Sequence, residues 1–447
     1  MLAPLVNPNR NVPRSIGTLA GMTFQNDKIM EHGILAKFKS GGKWGILGTD
    51  GKELVAPKYR DITGVDNNTG VIHALVNKKT GEELFNKKTG EELSEKGKVL
   101  TPEQVEELAA KEKAENGKTD VKLFASDSYV SFKEKGRYGF KDEAGNVVIS
   151  PRYKDVITEF HEDRAFVKNE KGKIVAIDIK GAELFQAPSE EVYAYKNGLA
   201  EYRRKVSGFN VGSLLGFVTG GILQGGFGYN NYGLGGFAYD GVKRGYIDSD
   251  GHVVVDGKND KVWPMTWYGT VIKNDGKTGF VNRKGEYVIQ PGDYDVGGLD
   301  EINGLLVLKD SETGKSGLFN VETGRQEIPF LYDNITFAGS DRLIVDKNGV
   351  RSLYDMKTGR ALFSVSTDVT IDPFAHDRVT WVHQGKGNYK IINDAGKVLY
   401  VDAKGSIDDV KSFNHGFSAV HAEGKWGIMD VSGKWLVRPQ YQNVEIL

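Results

Sequence analysis

The sequence predicts an all-β fold, a tandem array of about ten short β-hairpin or meander units. Two observations support this prediction. One template recurs along the 447 residues, and its clearest copies run from Gly42 to Tyr59 and from Gly424 to Tyr441. Each copy alternates short apolar runs with glycine-containing turns, which is the pattern of antiparallel strands. A fixed period of this length is typical of repeat architectures.

The marker of each unit is the glycine that follows the tryptophan position. Six units keep it, and four weaker units replace it. Seven of the nine spacings between successive markers lie between 34 and 38 residues, so the two longer spacings indicate insertions. The ten marker positions are Gly45, Glu83, Gly139, Val175, Gly245, Gly279, Gly317, Ser352, Lys390 and Gly427.

Two apolar residues follow each marker, and then an Asp or Asn leads into a turn that ends in glycine. Asp248 before Gly251 and Asn282 before Gly285 are examples. A tight hairpin needs a residue at positive φ, and an Asp or Asn side chain can bond the turn backbone. We therefore interpret each Asp-x-x-Gly as hairpin chemistry and not as a metal ligand or catalytic acid.

A second apolar run follows the turn, and in several units a Pro and a Tyr follow, as in Pro57 and Tyr59. Proline cannot donate a ladder hydrogen bond, so we expect it to mark the strand end. A further apolar run, such as residues 304–308, precedes each marker. Each unit is thus predicted to hold three or four short antiparallel strands.

We favour a β-propeller-like closed array, because units of this size resemble blades and closure removes exposed sheet edges. Ten units exceed the usual range of about 4–8 blades, so two rings or an open superhelical stack are the alternatives. The predicted organisation is an N-terminal segment 1–28, units one to four in 29–206, an insertion at 207–241, and units five to ten in 242–447. The insertion is the expected point of division.

Composition excludes several classes of function. The net charge of -1 gives no broad basic surface, so we expect no nucleic-acid partner. The absence of cysteine excludes disulfides, cysteine-ligated zinc and thiol nucleophiles. Met1 to Gly17 lacks a basic start and a long apolar core, so no signal peptide is visible in it.

Two insertions interrupt the period. Residues 93–119 carry capping signals at Thr101 and Pro102 and predict one short charged helix, interpreted as surface filler. The insertion 207–241 has no charged residue between Val206 and Tyr239. It either packs on the array or contacts a partner or membrane surface. In the second case its aromatic side chains are binding candidates, namely Phe217, Phe227, Tyr229 and Tyr232.

A second group of binding candidates comprises Trp263, Trp267, Tyr268 and Trp381. Aromatic rings stack on sugars and on protein partners, although core packing between units is the plainer interpretation. No catalytic residue, metal site or cofactor is predicted. The histidines lack metal-ligand spacing, and Gly276-Lys277-Thr278 lacks the earlier glycine of a phosphate loop.

The template resembles that of the WG-repeat family of bacterial proteins, named for a Trp-Gly dipeptide that precedes a β-hairpin and a Pro-x-Tyr ending. Trp44-Gly45 and Trp426-Gly427 carry the dipeptide. The resemblance covers residues 29–447 and brings no catalytic residues with it. It implies a non-enzymatic binding or scaffold protein, extracytoplasmic in the cell envelope, with a protein or glycan partner. The alternatives are a polysaccharide-active enzyme and a membrane or partner contact through 207–241.

Overall fold

The computed structural model describes residues 29–65, 72–77, 80–85, 92–93, 124–204, 239–301, 303–339, 341–375 and 377–447. They form ten antiparallel sheets, nine with four strands and one with three, so the predicted all-β array of ten units is confirmed. Two 3-10 turns accompany the strands, at Ile29–His32 and Ala125–Ser128. No helix in these ranges is long and apolar enough to span a membrane. The helix predicted within 93–119 lies outside the described residues.

Each sheet is one module, numbered along the chain. The strands of modules 1 to 5 are β1 (Ile34–Ser40), β2 (Lys43–Gly48) and β3 (Glu53–Tyr59); β4 (Asp61–Val65), β5 (Ile72–Asn77), β6 (Thr80–Phe85) and β7 (Glu92–Leu93); β8 (Val130–Glu134), β9 (Arg137–Lys141) and β10 (Val147–Tyr153); β11 (Asp155–Val156), β12 (Ala165–Lys168), β13 (Ile174–Ile177) and β14 (Glu183–Gln186); β15 (Glu191–Val192), β16 (Leu199–Arg203), β17 (Arg244–Asp248) and β18 (Val253–Val255).

The strands of modules 6 to 10 are β19 (Lys261–Val262), β20 (Gly269–Asn274), β21 (Lys277–Asn282) and β22 (Tyr287–Gly292); β23 (Tyr294–Asp300), β24 (Leu305–Asp310), β25 (Ser316–Asn320) and β26 (Gln326–Tyr332); β27 (Asn334–Gly339), β28 (Arg342–Lys347), β29 (Val350–Asp355) and β30 (Arg360–Ser366); β31 (Thr370–Ile371), β32 (Val379–His383), β33 (Tyr389–Asn393) and β34 (Val398–Val401); β35 (Ile407–Val410), β36 (Phe417–Ala422), β37 (Lys425–Asp430) and β38 (Trp435–Tyr441). The final strand, β39 (Asn443–Ile446), belongs to module 1.

The marker glycine is explained by a bulge in the last strand of its module. In module 10, Trp426 pairs with Tyr441 and Ile428 pairs with Val437, so Gly427 alone faces residues 438–440. A Cβ on Gly427 would lie 2.4 Å from the Val437 carbonyl oxygen. Modules that lack the glycine pair regularly at this position, as Ser352 does with Ser364. The bulge and the glycine therefore occur together.

The bulge also corrects the interpretation of the proline. Pro57 was predicted to mark a strand end, but β3 continues through it to Tyr59. The proline lies among residues 56–58, which bulge out opposite Gly45, where a backbone N–H would have no ladder partner. The prediction was wrong because a strand tolerates proline at a bulge.

Neighbouring modules pack face to face. On β24, Leu305 and Val307 pack against module 8, while Leu306 and Leu308 pack against module 6. The alternate residues of this central strand are thus buried on both faces, which explains its continuous apolar run. Nine such clusters join modules 1 and 2 and then every successive pair from module 3 to module 10 and back to module 1.

The last and first modules of the chain meet at a seam between modules 10 and 1. Strand β39 follows the last strand of module 10, yet it pairs antiparallel with β1 and completes the sheet of module 1. The hairpin glycine Gly51 contacts Val437 of module 10, as Gly324 contacts Val288 of module 6. The seam is thus packed like the other junctions. Among the described residues, the modules thus form one continuous series that runs from module 3 to module 10 and on through modules 1 and 2.

The insertion 207–241 is placed within a module. Strands β16 and β17 flank it and pair with each other, Leu199 with Asp248 and Arg203 with Arg244. Cores continue from module 4 to 5 and from 5 to 6 without a break. The segment is therefore inserted between two neighbouring strands of one sheet, while most of its own residues lie outside the described ranges.

Candidate functional site

The repeated polar residues of the template are occupied in turns. Asp248 Oδ1 accepts the backbone N–H groups of Asp250 and His252, at 3.0 and 2.9 Å. Asn282 and Asn393 bond the same two turn positions in their modules. The hairpin interpretation of Asp-x-x-Gly is confirmed, and these side chains are not available for catalysis.

A lysine ammonium lies over each of the two WG tryptophans. Lys37 Nζ lies 4.7 Å from the centre of the Trp44 ring, and Lys411 Nζ lies 4.8 Å from that of Trp426. Both lysines bond the first strand of the next module. Lys37 donates to the Ile62 carbonyl, and Lys411 donates to the Val444 carbonyl. The Trp-Gly tryptophan thus supports a lysine that ties two modules together.

A cleft of about 510 Å³ lies at the seam between modules 10 and 1. We call it the seam cleft and define it by its lining residues. Strands β1, β37 and β39 bring these residues together, so the cleft exists only because the last strand returns to the first module. The lining residues are Lys39, Gly42, Lys411, Trp426, Gln442 and Asn443.

Hydrogen bonds across the seam fix the walls of the cleft. The Gly42 N–H donates to Gln442 Oε1 at 2.7 Å, and Lys411 Nζ donates to Asn443 Oδ1 at 2.7 Å. Trp426 is half-buried, and its ring centre lies 5.2 Å from that of His421. The cleft therefore presents an indole ring, two amide side chains and two lysines.

The charges of the cleft are unbalanced. Burial lowers the pKa of Lys411, and Lys37 lowers it further by repulsion, while Glu445 and Asp409 oppose the shift. Lys37 is neutralised by Glu445 at 3.0 Å and by Asp61 at 3.6 Å. Within the described ranges, neither Lys39 nor Lys411 has a carboxylate within ion-pair distance. The seam cleft is thus locally cationic on a chain of net charge -1.

The aromatic residues predicted from the sequence do not come together in one site. Trp381 is fully buried, and its indole N–H donates to Ser418 across the junction of modules 9 and 10. Trp263 is buried between modules 6 and 7, whereas Trp267 and Tyr268 are half-buried nearby. The rings of Trp381 and Trp263 are therefore covered by protein on both faces. The remaining candidates lie outside the described residues, namely Phe217, Phe227, Tyr229 and Tyr232.

Two histidine–carboxylate pairs lie near the seam. His383 Nε2 is 3.1 Å from Asp372 Oδ1, and this hydrogen bond raises the pKa of His383. His421 Nδ1 is 3.4 Å from Asp408 Oδ2. No trio of histidine and carboxylate side chains suited to a metal ion occurs in the described part of the chain.

A buried ionic network lies at the base of the insertion. Arg244 is almost fully buried, and it donates to Asp240 and to the Val262 carbonyl. Glu201 bonds Arg203 at 2.6 Å and accepts from Tyr246 at 3.1 Å. Every charged member has an opposite charge nearby, so the network ties β16 to β17 and does not form an open site.

The tandem series of antiparallel sheets, nine with four strands and one with three, defines a β-repeat protein. The family model for the WG containing repeat matches residues 138–175 and 426–446, which lie in modules 3 and 4 and in modules 10 and 1. The resemblance to the WG-repeat family that the template predicted is confirmed in these two stretches. No curated protein matches the chain.

Solved structures resemble the chain only distantly. BamB from Moraxella catarrhalis is 13% identical, with 72% of this chain and 97% of that chain covered and a TM-score of 0.25. The computationally designed Ika8 protein is 13% identical, with 70% and 93% covered and a TM-score of 0.27. A eukaryotic initiation factor is 11% identical, with 82% and 95% covered and a TM-score of 0.35. TM-scores this low carry no functional information.

The seam cleft is the feature that sequence reasoning missed. Trp426 was recognised as part of the template. Lys39 and Lys411, however, lie 372 positions apart, and only the seam between modules 10 and 1 brings them together. One signal was present in the sequence. Residues 443–446 follow Pro439 and Tyr441 as residues 61–65 follow Pro57 and Tyr59, where a new module begins.

Proposed function

We propose that this chain is a non-enzymatic binding or scaffold protein of the bacterial cell envelope, and that it holds a glycan or protein partner. The observation that carries the proposal is the contrast between two sets of polar groups. Template residues such as Asp248 and Asn282 are occupied in turns. Lys39 and Trp426, by contrast, line a cleft of about 510 Å³.

The size and lining of the seam cleft support a binding role. Ligand sites commonly measure about 300–1,000 Å³ and combine aromatic surface with a few fixed polar groups. The Trp426 ring supplies the surface, and the bonds that Gln442 and Asn443 accept fix their amides in place. The module junctions hold these groups rigidly, so little ordering is needed when a ligand binds.

Binding is tested with the purified full-length chain, immobilised and exposed to polysaccharide and protein fractions of bacterial envelopes. We expect saturable capture of a defined glycan or protein. The matched variant is Trp426→Ala, used only if circular dichroism shows native strand content. Saturable capture that is unchanged in this folded variant would move the site elsewhere. Absence of capture from every fraction would contradict the binding role.

Two further experiments test the rest of the proposal. Reproducible release of products from cell-wall or polysaccharide substrates would contradict the non-enzymatic assignment and favour the enzyme alternative. Fractionation of cells that produce the protein tests location, and recovery confined to the cytosol would contradict an envelope role. Deletion of residues 207–238 separates the loop from the cleft and keeps Asp240, the partner of the buried Arg244. A loop-mediated contact is lost in that variant while cleft binding remains.

A further inference from the structure

We infer that the seam cleft binds a carboxylate-bearing sugar, a uronic acid residue of an acidic polysaccharide. This inference rests on the proposed binding function and names the ligand class for its site. The groups that recognise the ligand are two lysines for the carboxylate, an indole ring for the sugar face and two amides for hydroxyl groups. Each group lines the same cleft.

The lysines select an anion. Lys411 is held by two neutral acceptors, Asn443 Oδ1 at 2.7 Å and the Val444 carbonyl at 2.8 Å. An ammonium has three N–H donors, so one is left after these two bonds. Lys39 contacts the Trp44 ring, with its Nζ 5.7 Å from the ring centre. Glu445 and Asp409 act on Lys411 only from beyond ion-pair distance, and a ligand carboxylate would supply the direct charge-assisted hydrogen bond that both lysines lack in the described part of the chain.

Lys37, which lies on a different strand of its module, shows by contrast what a neutralised lysine over a WG tryptophan looks like. It lies over Trp44 as Lys411 lies over Trp426, and it bonds the following strand in the same way. However, Glu445 and Asp61 neutralise its charge. The two lysines thus perform the same structural task, but Lys411 performs it without an ion pair. A direct ion pair is therefore not required for a lysine to join modules, and the third N–H of Lys411 is left for a ligand.

The tryptophan and the amides favour a sugar over other anions. Indole rings have an apolar face and pack against the C–H face of a sugar ring. Lys411 lies over one face of the Trp426 ring and His421 lies beside it, so the half-buried ring is fixed in place and only the rest of it lines the cleft for a sugar. Gln442 and Asn443 accept bonds through their oxygens and keep their NH₂ groups as donors for hydroxyl oxygens. An acidic peptide would use the lysines but would not need the stacking ring.

The test is calorimetric titration of the full chain with oligogalacturonate and with its fully methyl-esterified form, in which each carboxylate has lost its charge and gained a methyl group. We expect saturable binding of the acid form, weakened by added salt because the contact is ionic. Binding of the ester should be roughly tenfold weaker or absent, since a charged hydrogen bond is lost. Equal affinity for both forms would overturn the anion assignment.

Matched variants locate the site. Lys39→Gln should weaken acid binding about tenfold, and Lys411→Gln should do the same if its melting curve shows that the fold is kept. Lys425→Gln removes the same charge from the neighbour of Trp426 on β37, which points away from the cleft because side chains alternate, and should change little. A Lys39→Gln chain that binds as tightly as the parent would contradict the assignment of the cleft.

A polyglutamate peptide distinguishes the ligand source. Peptide binding as tight as oligogalacturonate binding would contradict a sugar ligand. Failure of oligogalacturonate to bind, alongside saturable capture of another envelope partner, would overturn this inference and leave the proposed function intact. If neither oligogalacturonate nor any envelope partner binds, both this inference and the proposed function are overturned.

Discussion

Single residues in this protein are constrained mainly by backbone contacts. The marker glycine is required where the last strand bulges, because a Cβ on Gly139 would lie 2.3 Å from the Ile149 carbonyl oxygen. The turn glycine has two constraints. Gly285 has a φ of 82°, and a Cβ there would lie 2.3 Å from the Val254 carbonyl of the preceding module. The first constraint could be predicted from turn chemistry, but the second requires knowledge of the neighbouring sheet.

Substituting a marker glycine should therefore lower the free energy of unfolding by more than the burial of one glycine suggests. Gly427→Ala should lower the free energy of unfolding by about 2 kcal/mol or more, because the methyl group meets the Val437 carbonyl at 2.4 Å. The measurement is urea denaturation. The matched control is Ser352→Ala, at the equivalent position of a module without the bulge, which should change stability by less than about 1 kcal/mol. Equal effects at the two sites would contradict the steric explanation.

The pair of His383 and Asp372 makes a small part of the stability depend on pH. The hydrogen bond raises the pKa of His383 above its ordinary value of about 6.5 in the folded state. The contribution is therefore fully present below about pH 6.5 and is lost as the pH rises through the raised pKa. Melting curves on either side of this window should show the loss in the parent chain and not in His383→Gln. His252→Gln, at an exposed histidine, should keep the parent profile.

At the scale of secondary structure, the hairpins could be predicted from the sequence, but the course of some strands could not. The hairpins around Gly251 and Gly396 follow from local turn chemistry and occur as predicted. The course of β3 through Pro57 did not follow, because whether a proline ends or bulges a strand depends on the partner strand. The short first strand of each module, such as β11, carries little periodicity of its own. Its place is set by the strand that it pairs with in space.

Strand β39 should contribute a large share of stability for its size. Ending the chain at Gln442 exposes the edge of β1 and removes the fully buried Val444 together with the acceptors of Lys411. We expect a loss of about 3 kcal/mol or more in the free energy of unfolding. Glu445→Gln keeps the strand and removes only a surface ion pair, so it should cost less than about 1 kcal/mol. Comparable losses in the two variants would contradict a structural role of β39.

At the scale of the whole molecule, the period predicted the number of modules but not the seam where the last strand joins the first module. Local pattern fixes the hairpins, whereas the seam depends on contacts between residues near positions 40 and 440, and its one signal in the sequence is the extra strand at residues 443–446. The candidate site shares this property, since Lys39 and Trp426 belong to opposite ends of the chain. The buried Trp263 and Trp381 show the converse. They were binding candidates with core packing as the plainer interpretation, and the two-sided packing of each sheet uses them as core.

The seam between the first and last modules is tested most directly by a disulfide that joins β1 to β39. The chain has no cysteine, so Lys37→Cys with Glu445→Cys introduces one defined pair, at positions that face each other in the β1–β39 register. Facing residues of antiparallel strands have Cα atoms about 4.5–5.5 Å apart, within disulfide range. We predict rapid intramolecular cross-linking, seen as a mobility shift of the monomer on a non-reducing gel, and none in either single variant. An absence of cross-linking, or cross-linking only between molecules, would contradict the seam between the first and last modules.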